Sequence, residues 1–327
     1  MEPDLLGESE ELTFWLAKPE DYEDVMAISK GIFDGNDYLP HFYQEWMTEP
    51  NRVVIVARKG RKLVALESRV VVDGGNTVVL QGLRVCPSEA GHGLASVLHR
   101  FCDSYMKKLY PSIRMRHLIT YDYVASEKLS KFNLLAKRVV LSFYGEAESF
   151  FTLTSTLKAK LVAENRPGGS DFKTCALETE DQLRSVILDP DLPSMLQLPG
   201  GAIIQDWQPL MPTETNMEIL RRQNLSWFAA RAGKKILFLS LHTPPYPIPY
   251  NNGSLCLNID LFGTDTVLAK EAVVAHLERS KGQLRGGVVM HVYMHTSLWE
   301  DLREFCQGVS GLKQLEKRGQ KFFEEKI

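Results

Sequence analysis

The chain lacks a long apolar run, a surplus of either charge and any close spacing of cysteines, and each absence removes a class of protein. No stretch approaches the roughly 18 apolar residues that a membrane-crossing helix needs. Lys plus Arg number 38 against 41 Asp plus Glu, a formal net charge of −3, so nothing electrostatic points to nucleic acid or an anionic membrane as partner. The N-terminal MEPDLLGESEEL is acidic and without an apolar core, and reads as neither a signal nor a transit peptide. The 5 cysteines (Cys86, Cys102, Cys175, Cys256, Cys306) are odd in number and far apart. Free thiols in a reducing, cytoplasmic compartment fit them better than disulfides. GxSxG, Walker A and HExxH sequences are absent. His291 and His295 fall on one strand face with no third ligand at a familiar spacing, so no metal is expected. What remains is a globular protein of 327 residues, enough for one large or two ordinary domains. Its oligomeric state is not legible.

The first half reads as an antiparallel meander followed by strand–helix–strand–helix–strand, a mixed α/β class. Residues 12–17 alternate as a strand, and Pro19 opens a helix with Tyr22, Val25, Met26 and Ile28 apolar. FDGNDYLP, 33–40, is turn-rich, with aromatic and polar side chains suited to lining a pocket. Strands at 52–57, 63–72 and 77–85 are joined by turns at RKGRK, 58–62, and at Asp73, Gly74, Gly75 and Asn76. The basic cluster reads as a solvated hairpin tip, with a phosphate contact as the rarer alternative. A helix at 94–109 puts Leu94, Val97, Leu98, Phe101, Tyr105 and Leu109 on one face. A strand at 117–121, a helix at 125–132 and a strand at 138–143 follow, then a linker at 161–171 containing PGGS.

Beyond the linker, helices are expected at 180–188, 213–223, 266–279 and 297–307, and strands at 226–231, 235–241, 255–262 and 288–294. TPPYPIPYNNG, 243–253, carries four prolines and is not regular. Ser297 and Glu300 suggest a capping box. The order echoes residues 77–132, so the second half, 172–327, is either a degenerate copy of the first, 1–160, or an unrelated α/β extension.

The most informative stretch is TVVLQGLRV-CPSEAGHG-LASVLHRFCDSYMKKL, 77–109. Gly91 and Gly93 sit where the helix begins, so unpaired backbone N–H groups and the positive end of the helix dipole suit an anion, above all a phosphate. A dinucleotide fold would place its first glycine directly after its first strand. Here CPSEA intervenes, Pro87 breaks the strand early, and a meander precedes the motif.

Both features are those of the GNAT N-acetyltransferase superfamily, which the chain resembles over roughly 12–145. There a strand ending Leu-x-Val-x-Pro leads to (Gln/Arg)-x-x-Gly-x-(Gly/Ala) and a long helix. Leu83, Val85, Pro87, Gly91 and Gly93 match; Ser88 stands where the family prefers a basic or amide side chain. The resemblance implies a GNAT fold that binds acetyl-CoA. Its pyrophosphate would lie on the amides of Ser88, Glu89, Ala90, Gly91, His92, Gly93, Leu94 and Ala95, and its pantetheine along Leu83, Arg84 and Val85.

Acetyl transfer needs a deprotonated amine, a polarised thioester carbonyl and a proton for the leaving thiolate. Gly82 suggests a bulge that frees an N–H near Leu83 for the carbonyl. Many family members carry a carboxylate where this chain has Gln81, which cannot accept the proton. Glu67 on the neighbouring strand is the first choice of base, against a plain ion pair with Arg69. Tyr121 and Tyr123 are the candidate acids.

The combination FDGNDYLPHFYQEW, VALESRVV and LQGLRVCPSEAGHG with a long C-terminal extension is similar to the histidine N-acetyltransferase family of fishes and its vertebrate relatives. That resemblance implies L-histidine as acceptor. Arg84 or Arg69 would pair with its carboxylate, and Asn36, Asp37 or Tyr38 would line the acceptor loop, with the C-terminal half covering it. A peptide N-acetyltransferase, a non-catalytic acyl-CoA-binding regulator and, distantly, a dehydrogenase stay open.

Overall fold

A computed structural model describes residues 5–9, 11–124, 129–164 and 174–327. The chain forms two compact units. One holds Met1–Leu118 with Ile248–Asn252 and Glu324–Ile327; the other holds Ile119–Pro247 with Gly253–Phe323.

The first unit opens with β1 (Leu5–Ser9) and β2 (Leu12–Leu16), then α1 (Tyr22–Ile28) and α2 (Leu39–Trp46). β3 (Arg52–Lys59), β4 (Lys62–Val72) and β5 (Thr77–Val85) extend the antiparallel meander. Gly60, at φ 59°, turns the RKGRK hairpin, a left-handed conformation that costs glycine nothing. After α3 (Leu94–Leu109) the chain returns as β6 (Met115–Tyr121), parallel to β5, with Thr77, Val78, Val79 and Leu80 opposite Met115, Arg116, His117 and Leu118. The α3 bounds are those its periodicity predicts, but the buried stripe is Leu94, Leu98, Cys102 and Met106, and Leu109 is exposed. Phe101 stacks on Phe14 with ring centroids 4.0 Å apart.

In the second unit β7 (Asn133–Glu146) and α4 (Ala147–Glu164) are followed by β8 (Thr174–Ala176), α5 (Glu180–Ile187) and α6 (Leu192–Met195). The short hairpin β9 (Ile203–Gln205) and β10 (Gln208–Leu210) and helix α7 (Glu214–Arg222) come next. Then come β11 (Ser226–Ala232), β12 (Lys235–His242), β13 (Tyr246–Ile248), β14 (Ser254–Phe262), α8 (Thr266–Ser280) and β15 (Gly287–Met294). Helix α9 (Trp299–Phe305) and strands β16 (Lys313–Gln314) and β17 (Arg318–Lys326) complete the chain. The strand order is β7-β15-β14-β12-β11-β8, with only β14 and β15 parallel. Thus β11-β12-β14-α8-β15 follows the same antiparallel–antiparallel–helix–parallel plan as β3-β4-β5-α3-β6.

The units do not divide at 160. β7 pairs with β15 from Glu146 opposite Gly287 to Val139 opposite Met294, and Phe150, Leu153 and Leu157 of α4 join Ala269, Ala272 and Val273 of α8 in one apolar core. Conversely the last four residues belong to the first unit, where Arg116 grips Glu325 at 2.5 Å and Ile327 N donates to Arg114 O at 2.9 Å. The linker expected at 161–171 is helix up to Glu164; the remainder, like 125–128 of the helix expected at 125–132, lies outside the described residues. The capping box expected at Ser297 and Glu300 is not formed: His295 accepts from Ser297 N and α9 begins later, at Trp299. Thr179 and Gln182 form one instead at the start of α5.

Candidate active site

β5 and the turn after it organise the site. A short 3-10 turn, Pro87–Glu89, leads to Gly91 and Gly93 at φ 83° and 80°, and α3 starts with no side chain capping it. Both glycines face open space, and their left-handed φ is what a Cβ would oppose. A helix start of 16 residues' dipole without a side-chain cap fits a pyrophosphate group. Ser88, Ala90, Gly91, His92 and Gly93 are exposed, and Glu89 and Ala95 half-buried, so the turn is accessible. Leu94 is the exception, anchoring the helix in the core. Lys62, from the RKGRK hairpin, brings its Nζ to 3.4 Å from Ser88 Oγ. A cation therefore stands beside the residue where the sequence offered none.

Upstream, the register of β4 and β5 shifts between Leu66 opposite Arg84 and Ser68 opposite Gln81. This is the bulge Gly82 suggested, with φ 70°. A Cβ at Gly82 would lie 2.7 Å from the Trp46 ring, so the close approach of α2 also demands glycine. The bulge turns Leu83 outward, 44% exposed, and Arg84 inward, 2% exposed; Val85 is half-buried. Gln81 Oε1 accepts from Arg52 Nη1 at 2.8 Å, and Arg52 also holds Ser68, Glu49 and the Trp46 face.

Arg84 reaches the 33–38 loop. Its Nη2 pairs with Asp37 Oδ1 at 2.6 Å, with the guanidinium 5.3 Å from the Phe33 ring centre and 5.5 Å from that of Tyr38. Asp37 Oδ1 also accepts from Leu39 N, and Asn36 Nδ2 donates to Phe33 O. Asp37 Oδ2, Arg84 Nε and Asn36 Oδ1 are buried with no hydrogen-bond partner, and such atoms cost about 1–3 kcal/mol each unless something meets them. The loop is itself strained: Phe33 and Asp34 hold φ of 51° and 55°, roughly 1–2 kcal/mol each for non-glycine residues. The structure thus brings Asn36, Asp37, Tyr38 and Arg84 together. It does so by pairing Asp37 with Arg84, where sequence reasoning had offered each to a substrate.

Glu67 and Arg69 lie elsewhere. Alternation along β4 sends Ser68 toward Trp46 and its two neighbours toward α3. Arg69 Nη2 is 2.9 Å from Glu67 Oε1 and 3.0 Å from Asp103 Oδ1, while His99 Nδ1 is 3.1 Å from Glu67 Oε1. Arg116 Nη2 joins Asp103 at 2.6 Å. Burial pushes the Glu67 carboxyl up, but Arg69, His99 and Arg116 pull it further down, below the usual carboxylate range. Neither residue meets the 33–38 loop. Tyr121 and Tyr123 belong to the second unit, stacked at 5.5 Å, with Tyr121 edge-on to Trp207 and beneath Arg318. Burial raises the Tyr121 phenol, so it keeps its proton; Tyr123 is 67% exposed. Sequence reasoning missed Arg52, Trp46, His99 and Asp103. Of these only Trp46 lay in a stretch already singled out, FDGNDYLPHFYQEW.

Comparison with known proteins adds to this geometry. A family model described as histidine N-acetyltransferase, C-terminal, matches residues 171–295. The chain is 36% identical over 313 residues to human probable N-acetyltransferase 16, spanning 94% of this chain and 83% of the relative. It is 36% identical over 296 residues to a histidine N-acetyltransferase of Scomber australasicus, spanning 90% and 87% of the two chains. It is 35% identical over 304 residues to one of Xenopus tropicalis, spanning 92% and 91%. Among solved structures, a tandem GNAT protein from the clavulanic acid biosynthesis pathway matches with a TM-score of 0.56 at 11% identity, over 97% of this chain and 98% of that one. A GCN5-related N-acetyltransferase from Sphaerobacter thermophilus gives 0.54 at 10% identity, over 98% and 97%. At these identities the structures establish the fold, which is GNAT.

Proposed function

The chain belongs to the histidine N-acetyltransferase family and is an acyltransferase, and we propose that it acetylates the α-amine of free L-histidine. The acetyl donor in this reading is acetyl-CoA, and the products are N-acetylhistidine and CoA. One observation carries it: a single strand, β5, ends in the uncapped glycine turn and, one residue past its bulge, carries the Arg84 that pairs with Asp37. Donor and acceptor elements are thereby coupled through one continuous stretch of backbone, from Arg84 to Gly93.

The turn amides and Lys62 hold the pyrophosphate, and the backbone of Leu83 and Val85 holds the pantetheine arm. The Leu83 N–H, freed by the bulge, polarises the thioester carbonyl. The unmet atoms of the 33–38 loop fit an amino acid: Asp37 Oδ2 and Asn36 Oδ1 accept from its nitrogens, and Arg84 Nε donates to its carboxylate. Attack forms the C–N bond, breaks the C–S bond and sends the electron pair to the thiolate. Glu67 is committed to Arg69 and His99, so the amine loses its proton to solvent, and binding contributes chiefly by orientation. The free cysteines support a cytoplasmic setting in this reading; separately, no described helix is long and apolar enough to cross a membrane.

The test is thiol release from acetyl-CoA across free amino acids and short peptides at neutral to mildly alkaline pH. Turnover concentrated on histidine supports the reading; turnover on peptides alone, or acetyl-CoA binding without turnover, sinks it. Lys62→Ala is expected to raise the acetyl-CoA Kd only about twofold to fivefold, the worth of one exposed charge, measured by calorimetry.

A further inference from the structure

The strained 33–36 segment is not held by its own half of the chain alone. The proline-rich segment, expected from sequence to be irregular, carries β13 and a 3-10 turn at Tyr250–Asn252, and its residues Ile248–Asn252 belong to the first unit although their sequence neighbours on both sides belong to the second. Their main chain meets Gly35. A Cβ built on Gly35 would lie 3.0 Å from Tyr250 Cα, 3.3 Å from Tyr250 N and 3.7 Å from the Pro249 carbonyl carbon. Gly35 itself holds φ of 90°. Two independent constraints, backbone sign and backbone proximity, therefore exclude any side chain there. The loop that presses on it is stiff for a sequence reason. Pro244, Pro245, Pro247 and Pro249 fix four φ angles within six residues, and Ile248 is buried as an anchor.

We propose that Pro249, Tyr250 and Asn251 are positioning residues: a main-chain strut that holds Phe33, Asp34 and Gly35 in their left-handed conformation and so presents Asp37 to Arg84 and the acceptor. This deepens the acceptor assignment and rests on it. The strut explains how a half without the phosphate turn can set acceptor affinity: by fixing the loop, through backbone, with no side chain in contact with substrate. Gly31 supplies the control, since it lies in the same segment with φ of 80° but a Cβ there would meet nothing.

The experiment compares Gly35→Ala, Gly31→Ala and Pro249→Gly in the full chain. It reads histidine KM and kcat, acetyl-CoA Kd by calorimetry, and hydrogen exchange of the 32–38 amides. Gly35→Ala is expected to raise histidine KM roughly tenfold or more, because small misplacements of a binding group are costly. Exchange at 32–38 should quicken, while acetyl-CoA Kd stays within about twofold. Pro249→Gly should move the same two readouts in the same direction, by less, because it only loosens the strut. Gly31→Ala carries the same backbone-sign cost but makes no contact with the strut, so it should move both readouts clearly less than Gly35→Ala. Unchanged exchange and KM in Gly35→Ala, or an equal response in Gly31→Ala, overturns the strut. If Gly35→Ala does not fold, Pro249→Gly decides by the same readouts. A wild-type protein that ignores histidine while Gly35→Ala still loosens 32–38 removes the acceptor assignment and leaves the strut standing.

Discussion

Each unit buries one arginine–aspartate pair and begins one long helix before the second strand of its parallel pair, and the two units use both features differently. In the first, Arg84 and Asp37 pair at 2.6 Å with buried atoms on each left unmet, and α3 starts at Gly93 with no side-chain cap. In the second, Arg138 pairs with Asp260, whose other oxygen accepts from Asp206 N, so that Arg138 Nε is unmet but both carboxylate oxygens are taken, and α8 starts at Asp265, whose carboxylate accepts from Leu268 N at 2.9 Å. A carboxylate at that position puts the protein's own negative charge where, in the proposed reading of the first unit, a phosphate would lie. The two units thus differ in one free carboxylate oxygen, that of Asp37, and in whether a side chain caps the long helix.

The largest expected effects probe the two ion pairs. Asp37→Ala and Asp260→Ala each strand a buried guanidinium, and each should cost about 3–5 kcal/mol in chemical denaturation. Only Asp37→Ala should also raise histidine KM; a matching rise in Asp260→Ala would erase the functional contrast. Next come the helix starts. Gly93→Ala forces a Cβ into the left-handed region at about 1–2 kcal/mol, which should weaken acetyl-CoA on the order of tenfold. Asp265→Ala should lower stability by about 1 kcal/mol, the worth of an N-cap, and leave acetyl-CoA Kd unmoved.

Smallest are the pH slopes, which have opposite signs in the two units. Glu67 is lowered in the folded protein, so its stabilisation is complete above the ordinary carboxylate range and is lost as pH falls through its folded value. Asp206 is raised, by burial and then by Asp260, from 3.8 to about 7. Its contribution is complete below the unfolded value and is lost as pH rises through about 7. Thermal melts across pH should show Glu67→Gln flattening the acid side and Asp206→Asn the neutral side. Loss of the acidic limb of kcat in Glu67→Gln would instead restore it as the base.

Local chemistry was legible where it stayed local. The RKGRK and DGGN turns, the bounds of α3 and the Gly82 bulge all follow from residues within a few positions of one another. Helix α4 was passed over because Thr152, Thr154, Ser155 and Thr156 dilute a stripe that Phe150, Leu153 and Leu157 nevertheless form. The last strand, RGQKFFEEK, shows no alternation a reader would pick, since its neighbours rather than its pattern make it a strand. The site was half legible: Asp37, Arg84, Glu67 and Arg69 were each marked. Which would meet which depends on partners 47 residues apart for Arg84 and Asp37 and 32 apart for His99 and Glu67, beyond any periodicity.

One consequence concerns synthesis. Arg116 is bound to Glu325, 209 residues further along the chain, so the first unit cannot be finished until the residues between them, the second unit's among them, have been made. A nascent chain must leave Arg116 without this partner until the second unit has emerged. Cutting the gene after the last residue of the first-half motifs would then release an unfinished product in place of a minimal enzyme.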